Sequence, residues 1–317
     1  MKLRRLGIVA AGLAGGVVGA DRLLRGAAGE LEPALDATER TYRWRGMDLS
    51  YAEVGDDTDP TLVCLHGINA AATSNEWRTV FEALADDYHV LAPDLPGFGL
   101  SDRPPLTYSA SLYTTFVRDF LTDLSENAVL VASSLTAAYA ADAASDVDVD
   151  RLVLICPTAE TMPGRRVWLR SLVRAPLVGQ VVYNAIGSKR SIRYFHDDHG
   201  YHDTSNLADE TVEYEWQTAH QPGARFATAS FISGHLDPEA DMDDLLADLS
   251  VPVTLVWGRD SDMPPLATGR DLAESADVEL VSIGDSALLP HVEHPEEFLA
   301  VVRGQTVEPT DHPDSDE

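Results

Sequence analysis

Short apolar runs alternate with longer amphipathic stretches from residue 61 almost to the C-terminus, and that alternation admits few folds. Thr61–Leu65, His89–Ala92, Ala128–Ala132, Arg151–Cys156, Val251–Trp257 and Val278–Ile283 read as strands. Glu76–Ala85, Ser109–Leu124, an Ala-rich stretch ending at Ala144 and Pro295–Val302 have helical spacing. Strands written as continuous apolar runs are buried on both faces. The expected class is therefore α/β, a mostly parallel sheet covered by helices on both sides. Thr41–Val54 differs: aromatic and polar residues alternate around Gly46, as in a hairpin.

The rhythm breaks between residues 160 and 250, where patterns are mainly helical. This stretch reads as a helical cap inserted over the carboxyl edge of the sheet, where open α/β folds bind ligands. The α/β core would then comprise residues 41–159 and 251–303, followed by a disordered acidic tail, 304–317. The cap holds a basic segment, Arg165, Arg166, Arg170, Arg174, Lys189, Arg190 and Arg193, interleaved with Trp168, Leu169, Leu172, Val173, Leu177 and Val181. It reads either as an amphipathic helix with a solvated face or as a lid face that meets anionic lipid headgroups.

At the N-terminus, Lys2, Arg4 and Arg5 precede the apolar run Leu6–Ala20. Residues 1–20 read as an N-terminal membrane anchor or a signal peptide, with a soluble extension as the third reading, and residues 21–40 as a linker. Basic residues ahead of the run would keep the N-terminus cytoplasmic and place the domain outside. Without a targeting role for the run, the chain would be cytoplasmic.

Asp and Glu total 52 against 23 Lys and Arg, a formal charge of −29. Such a surface repels nucleic acid, so no nucleic-acid partner is expected. Lys2 and Lys189 are the only lysines, and the acids are spread along the chain. That balance reads as a halophile protein, against the alternative of an acidic mesophile one. Cys64 and Cys156 fall inside apolar runs and read as small buried hydrophobes. No metal and no organic cofactor is implied.

Three motifs carry chemistry. Leu65-His66-Gly67-Ile68-Asn69 ends a strand, and its glycine is expected to allow a sharp turn that aims the Ile68 N–H into a pocket. Ala92-Pro93-Asp94-Leu95-Pro96-Gly97-Phe98-Gly99-Leu100-Ser101-Asp102 is a tight loop that shapes one pocket wall. Val131-Ala132-Ser133-Ser134-Leu135-Thr136-Ala137 passes from strand to helix. A serine on such a turn projects its hydroxyl above the sheet beside a helix N-terminus, where the Leu135 N–H could hold an oxyanion. The alternative for Ser134 is a helix cap.

Together these motifs resemble the α/β-hydrolase family, from about Tyr42 to Val302. Family members carry Gly-x-Ser-x-Gly at the nucleophile turn; Ala132 and Thr136 replace the glycines here. The resemblance implies a serine nucleophile at Ser134, with oxyanion donors at Ile68 and Leu135, followed in chain order by an acid and a histidine. The family's acid slot falls on Ser261, flanked by Asp262, the preferred acid, and Asp260; Glu160 is a further alternative. All three could also be surface charge. The family's catalytic histidine slot falls on Leu288. His291 could serve as base if the loop folds differently, or could be a structural histidine packed with Glu293; His294 reads as surface. The implied function is hydrolysis of an ester-like, hydrophobic small molecule, lipid-like in kind, with membrane contact through the N-terminus and cap. The alternative is a weakly active or inactive relative serving as a ligand-binding or scaffold protein.

Overall fold

The computed structural model describes residues 2–305 and the side chains from residue 15 onward. The tail expected to be disordered falls, from residue 306, outside the described residues. The strands are β1 (Thr38–Trp44), β2 (Met47–Val54), β3 (Thr61–Leu65), β4 (His89–Pro93), β5 (Ala128–Ser133), β6 (Val149–Ile155), β7 (Val253–Gly258) and β8 (Glu279–Ile283). They form one 8-stranded sheet in the order β1-β2-β4-β3-β5-β6-β7-β8. β2 pairs antiparallel with both β1 and β4, and β4, β3, β5, β6, β7 and β8 run parallel.

Local chemistry explains these elements. The β1–β2 turn uses Arg45 and Gly46, both at positive φ, which matches the twist of a two-residue hairpin. β5 is buried along its whole length, as its Val- and Leu-rich run requires. The Ala-rich Thr136–Ala144 helix that follows is buried at every position except Asp142. Ser109 caps the Ala110–Leu124 helix by accepting from the Leu112 N–H. Glu76–Ala85 is not one helix: a 3-10 turn, Ser74–Trp77, precedes a single α-turn, Phe81–Leu84. Trp77 and Phe81 are both buried, so packing overrides the local helical pattern there.

Between β6 and β7 the chain is mainly helical. The helices from Val167 to Phe231 build a small core of their own around Val173, Tyr183, Ala224 and Ala229. The last helix, Met242–Ala247, instead contributes Met242 and Leu246 to the main core. At the N-terminus a helix runs from Lys2 to Ala28, past the expected end of the apolar run, and takes in much of the expected linker. It packs on the cap, where Arg25 reaches Gln180 at 3.5 Å. Among the described residues, no helix is long and apolar enough to cross a membrane.

The C-terminal end of β7 meets the loop after β8 at Gly258. A Cβ there would lie 1.9 Å from the Ala287 carbonyl oxygen and 2.5 Å from that of Ser286. Gly258→Ala is expected to cost about 1–3 kcal/mol of stability by forcing those backbones apart, read as a lowered midpoint in urea denaturation.

Candidate functional site

Ser134 follows β5 directly and holds φ at +54°, a left-handed conformation that a non-glycine residue adopts under constraint. The turn is fixed on both sides. The Ser134 N–H donates to the Ile155 carbonyl at 2.8 Å, and its own carbonyl accepts from Ala137 and Thr158. Ser134 is half-buried, and the Leu135 backbone next to it begins the helix. Thr136, in place of the family's second glycine, donates its hydroxyl to the His66 carbonyl at 2.7 Å and ties this turn to the His66-Gly67 loop.

His66 is fully buried. Its Nε2 accepts from the Leu95 N–H at 3.1 Å, which leaves Nδ1 to donate to the Gly67 carbonyl at 2.7 Å. Gly67 does not take a left-handed conformation. It is needed for space: a Cβ would stand 3.3 Å from Ser133 Oγ, 3.4 Å from Glu76 Oε2 and 3.5 Å from Ser134 Cβ. Asp94 also has a definite task in its loop. Its carboxylate accepts the Ser74 and Leu100 N–H groups, each at 2.7 Å.

Glu76 belongs to no motif in the sequence. Its Oε2 accepts the Gly67 N–H at 2.8 Å, and its Oε1 lies 3.3 Å from His291 Nε2. Burial alone would push this carboxyl up. The His291 imidazole, the Ser133 hydroxyl and the neighbouring His66 ring outweigh that and hold it below the ordinary range. Ser133 thus points beneath the turn while Ser134 stays above it.

His291 is 0% exposed, packed between the Trp77 and Phe298 rings. Neither of its ring nitrogens hydrogen-bonds to Ser134. Its partner is Glu76, so the expected pairing of His291 with Asp262 is not formed, nor is the alternative with Glu293. Glu293 accepts instead from the N–H groups of Ala287, His202 and Asp203. Leu288, in the family's histidine slot, is buried in the main core.

Asp262, in the loop after β7, pairs with His199 of the cap, Oδ1 to Nδ1 at 3.1 Å. Asp260 pairs with His202 Nδ1 at 3.1 Å. His202, Asp260 and Asp285 bring ligand atoms within 4.8 Å of one another on the exposed rim, an arrangement that could accept a metal ion. Glu160 is exposed at the start of the cap. Ser261 is buried and donates to the Pro264 carbonyl. Cys156, just after β6, is buried and unbonded to Cys64; burial pushes its thiol up to about 12, which rules it out as a thiolate nucleophile.

The alpha/beta hydrolase family profile matches residues 62–301. An uncharacterized protein of Mycobacterium tuberculosis is 26% identical over 312 residues, covering 89% of this chain and 86% of that protein. The 2-hydroxy-6-oxo-2,4-heptadienoate hydrolase of Pseudomonas putida is 27% identical over 242 residues, covering 72% of this chain and 80% of that enzyme. Among solved structures, the 2-hydroxy-6-oxo-6-phenylhexa-2,4-dienoate hydrolase of a Rhodococcus strain superposes with a TM-score of 0.69 at 21% identity, covering 85% of this chain and 98% of that one. A membrane phospholipase A superposes with a TM-score of 0.66 at 23% identity, covering 96% and 97%. The sheet order, the strand–serine–helix turn and the profile match agree: this chain belongs to the α/β-hydrolase family.

Proposed function

We propose that the chain is a serine hydrolase acting on an ester-like, hydrophobic substrate through an acyl-enzyme at Ser134. The observation that carries this reading is the left-handed Ser134 at the junction of β5 and the Thr136–Ala144 helix. In the first step Ser134 Oγ bonds to the substrate carbonyl carbon and gives up its proton to a base. The Ile68 and Leu135 N–H groups receive the oxyanion, and the alcohol leaves with that proton. Water then attacks the acyl-enzyme by the same route and frees the acid and Ser134. A fluorophosphonate probe is expected to form an adduct on Ser134 and none on Ser134→Ala. The same substitution is expected to lower kcat on p-nitrophenyl esters by about 10³–10⁶-fold. A folded wild-type protein with no adduct would favour the scaffold reading, for which the buried His291 and Leu288 speak.

Glu76 and His291 serve this site as positioning residues. Glu76 holds the Gly67 N–H and faces Ser133 and His291, so it fixes the loop ahead of Ile68 against the serine turn. A carboxyl held below its ordinary 4.5 stabilises the fold above that pH, and the contribution is lost as pH falls through the lower folded value. Glu76→Gln is expected to cost about 1–3 kcal/mol at neutral pH. Its stability should also decline less steeply than wild type as pH drops below 4.5. Urea denaturation across that range checks both.

The cap supports a hydrophobic substrate and a lipid surface. Trp168 is 66% exposed, and so are Val178 (56%) and Val181 (51%) on the Val178–Ile186 helix, on which the Lys2–Ala28 helix docks. Arg166 and Arg170 flank Trp168 in sequence, whereas Arg174, Lys189 and Arg193 are engaged with Leu106, Glu213 and Asp209. This face would rest on anionic headgroups despite the acidic body, with the domain outside the cytoplasm. The acid excess and lysine scarcity fit a protein that works at high salt. Vesicles containing phosphatidylglycerol are expected to retain the protein at low salt, phosphatidylcholine vesicles less so. Trp168→Ser combined with Arg170→Ser should release it, as read by flotation.

A further inference from the structure

We propose that His199, carried to the site by the cap, is the general base for Ser134, with Asp262 as the carboxylate that orients it. The inference rests on the serine-hydrolase reading above and names the base that reading requires. A serine hydroxyl is a weak nucleophile without an adjacent base, and the core does not present one. His66 has both ring nitrogens committed to backbone groups, and His291 is enclosed by Trp77, Phe298 and Glu76.

The strand order puts Asp262 in reach. β6 alone separates β5 from β7, so the loops at their carboxyl ends stand about 10 Å apart. That gap suits an imidazole with a hydrogen bond at each nitrogen. The two loops are joined across it: Ser134 bonds to Ile155, and the next residue, Cys156, bonds to Val256 and lies against Gly258 and Ser261. On the Asp262 carboxylate sits His199, bound through Nδ1, so Nε2 is the nitrogen left for a reacting proton.

The imidazole is placed by a segment that is bolted to the core. His199 belongs to a π-helical turn, His196–Gly200, whose first residue is buried and bound to Glu215 at 2.9 Å. The His199 carbonyl faces the Leu288 N–H at 3.4 Å, and the His202 and Asp203 N–H groups reach the Glu293 carboxylate. The cap thus sets His199 over the loop that follows β8, whose own Leu288 offers no imidazole.

In this resting form Nε2 lies 3.2 Å from the half-exposed Asp198 carboxylate. A carboxylate thus occupies each ring nitrogen, and neither is free to take the serine proton. The His202–Asp260 pair stands beside them on the same loops. Asp198 must turn outward as substrate enters, and Nε2 then exchanges it for Ser134 Oγ. During acylation the Oγ–H bond breaks as the Oγ–carbonyl carbon bond forms. The proton moves to Nε2 and then to the departing alkoxide.

The test is acylation of the full chain by p-nitrophenyl butyrate, followed as a pH profile for wild type, His199→Gln, Asp198→Asn, Asp262→Asn, His291→Gln and Ser134→Ala. His199→Gln should lower kcat by about 10³–10⁴-fold with KM and thermal midpoint nearly unchanged. It should also erase the acid limb of kcat/KM, and added imidazole should restore part of the rate. Asp262→Asn should also lower kcat, and Asp198→Asn, by removing the carboxylate that occupies Nε2, should raise kcat/KM. His291→Gln, at a positioning residue, should lower both the thermal midpoint and kcat while leaving the acid limb in place. Retention of rate and acid limb in His199→Gln, with Ser134→Ala inactive, would overturn the assignment of the base while leaving the nucleophile standing. Wild-type turnover that survives Ser134→Ala, or a folded wild type that neither turns over nor labels, would overturn the parent reading and this inference with it.

Discussion

The carboxylate of Glu76, buried beneath the serine turn, joins segments that are far apart in the chain. It takes the Gly67 N–H from the loop after β3, faces the Ser133 hydroxyl at the end of β5, and meets His291 from the loop after β8. A carboxylate buried in this way is tolerated only because each of those groups favours its charged form. The geometry above the sheet follows from it. With the Gly67 N–H turned down to Glu76, and Thr136 tied to the His66 carbonyl, the His66-Gly67 loop and the serine turn are held in one fixed relation. Gly67 has no room for a side chain because these groups close around it.

Above that base the site is divided between core and cap. The core supplies the strained serine and the adjacent backbone; the cap brings His199 to Asp262 and His202 to Asp260. Those contacts are partly solvated, so they are worth less and rearrange more readily than the buried Glu76–His291 pair. A rigid lower layer with a looser upper one suits a site in which a substrate must enter beneath a cap and displace groups that rest there.

Much of the fold was legible in the sequence because it depends on local pattern. The continuous apolar runs marked β3, β5, β6 and β7 as buried strands, and Ser109 marked the start of its helix. The motif around Ser134 was equally legible, since a strand running straight into a helix forces a tight turn. The Glu76 segment was not, because burial of Trp77 and Phe81 replaced the helix its spacing suggested with two short turns. The Met242–Ala247 helix also follows long-range packing, joining the main core from within a stretch that reads as cap.

The pairing of site residues lay further out of reach. Asp262 and His291 were each marked by chain position, but nothing in their own segments says which partner each one meets. His291 was drawn under the turn by aromatic packing and by Glu76, more than 200 residues earlier in the chain. His199 lies in a cap segment without a motif and reaches Asp262 through the way the cap closes on the sheet. By itself the sequence determined the α/β architecture and the serine turn, because both follow from hydrophobic periodicity and backbone sterics over a few residues. The tertiary structure alone decided which imidazole faces which carboxylate, because those choices depend on burial and on contacts between segments that only folding brings together.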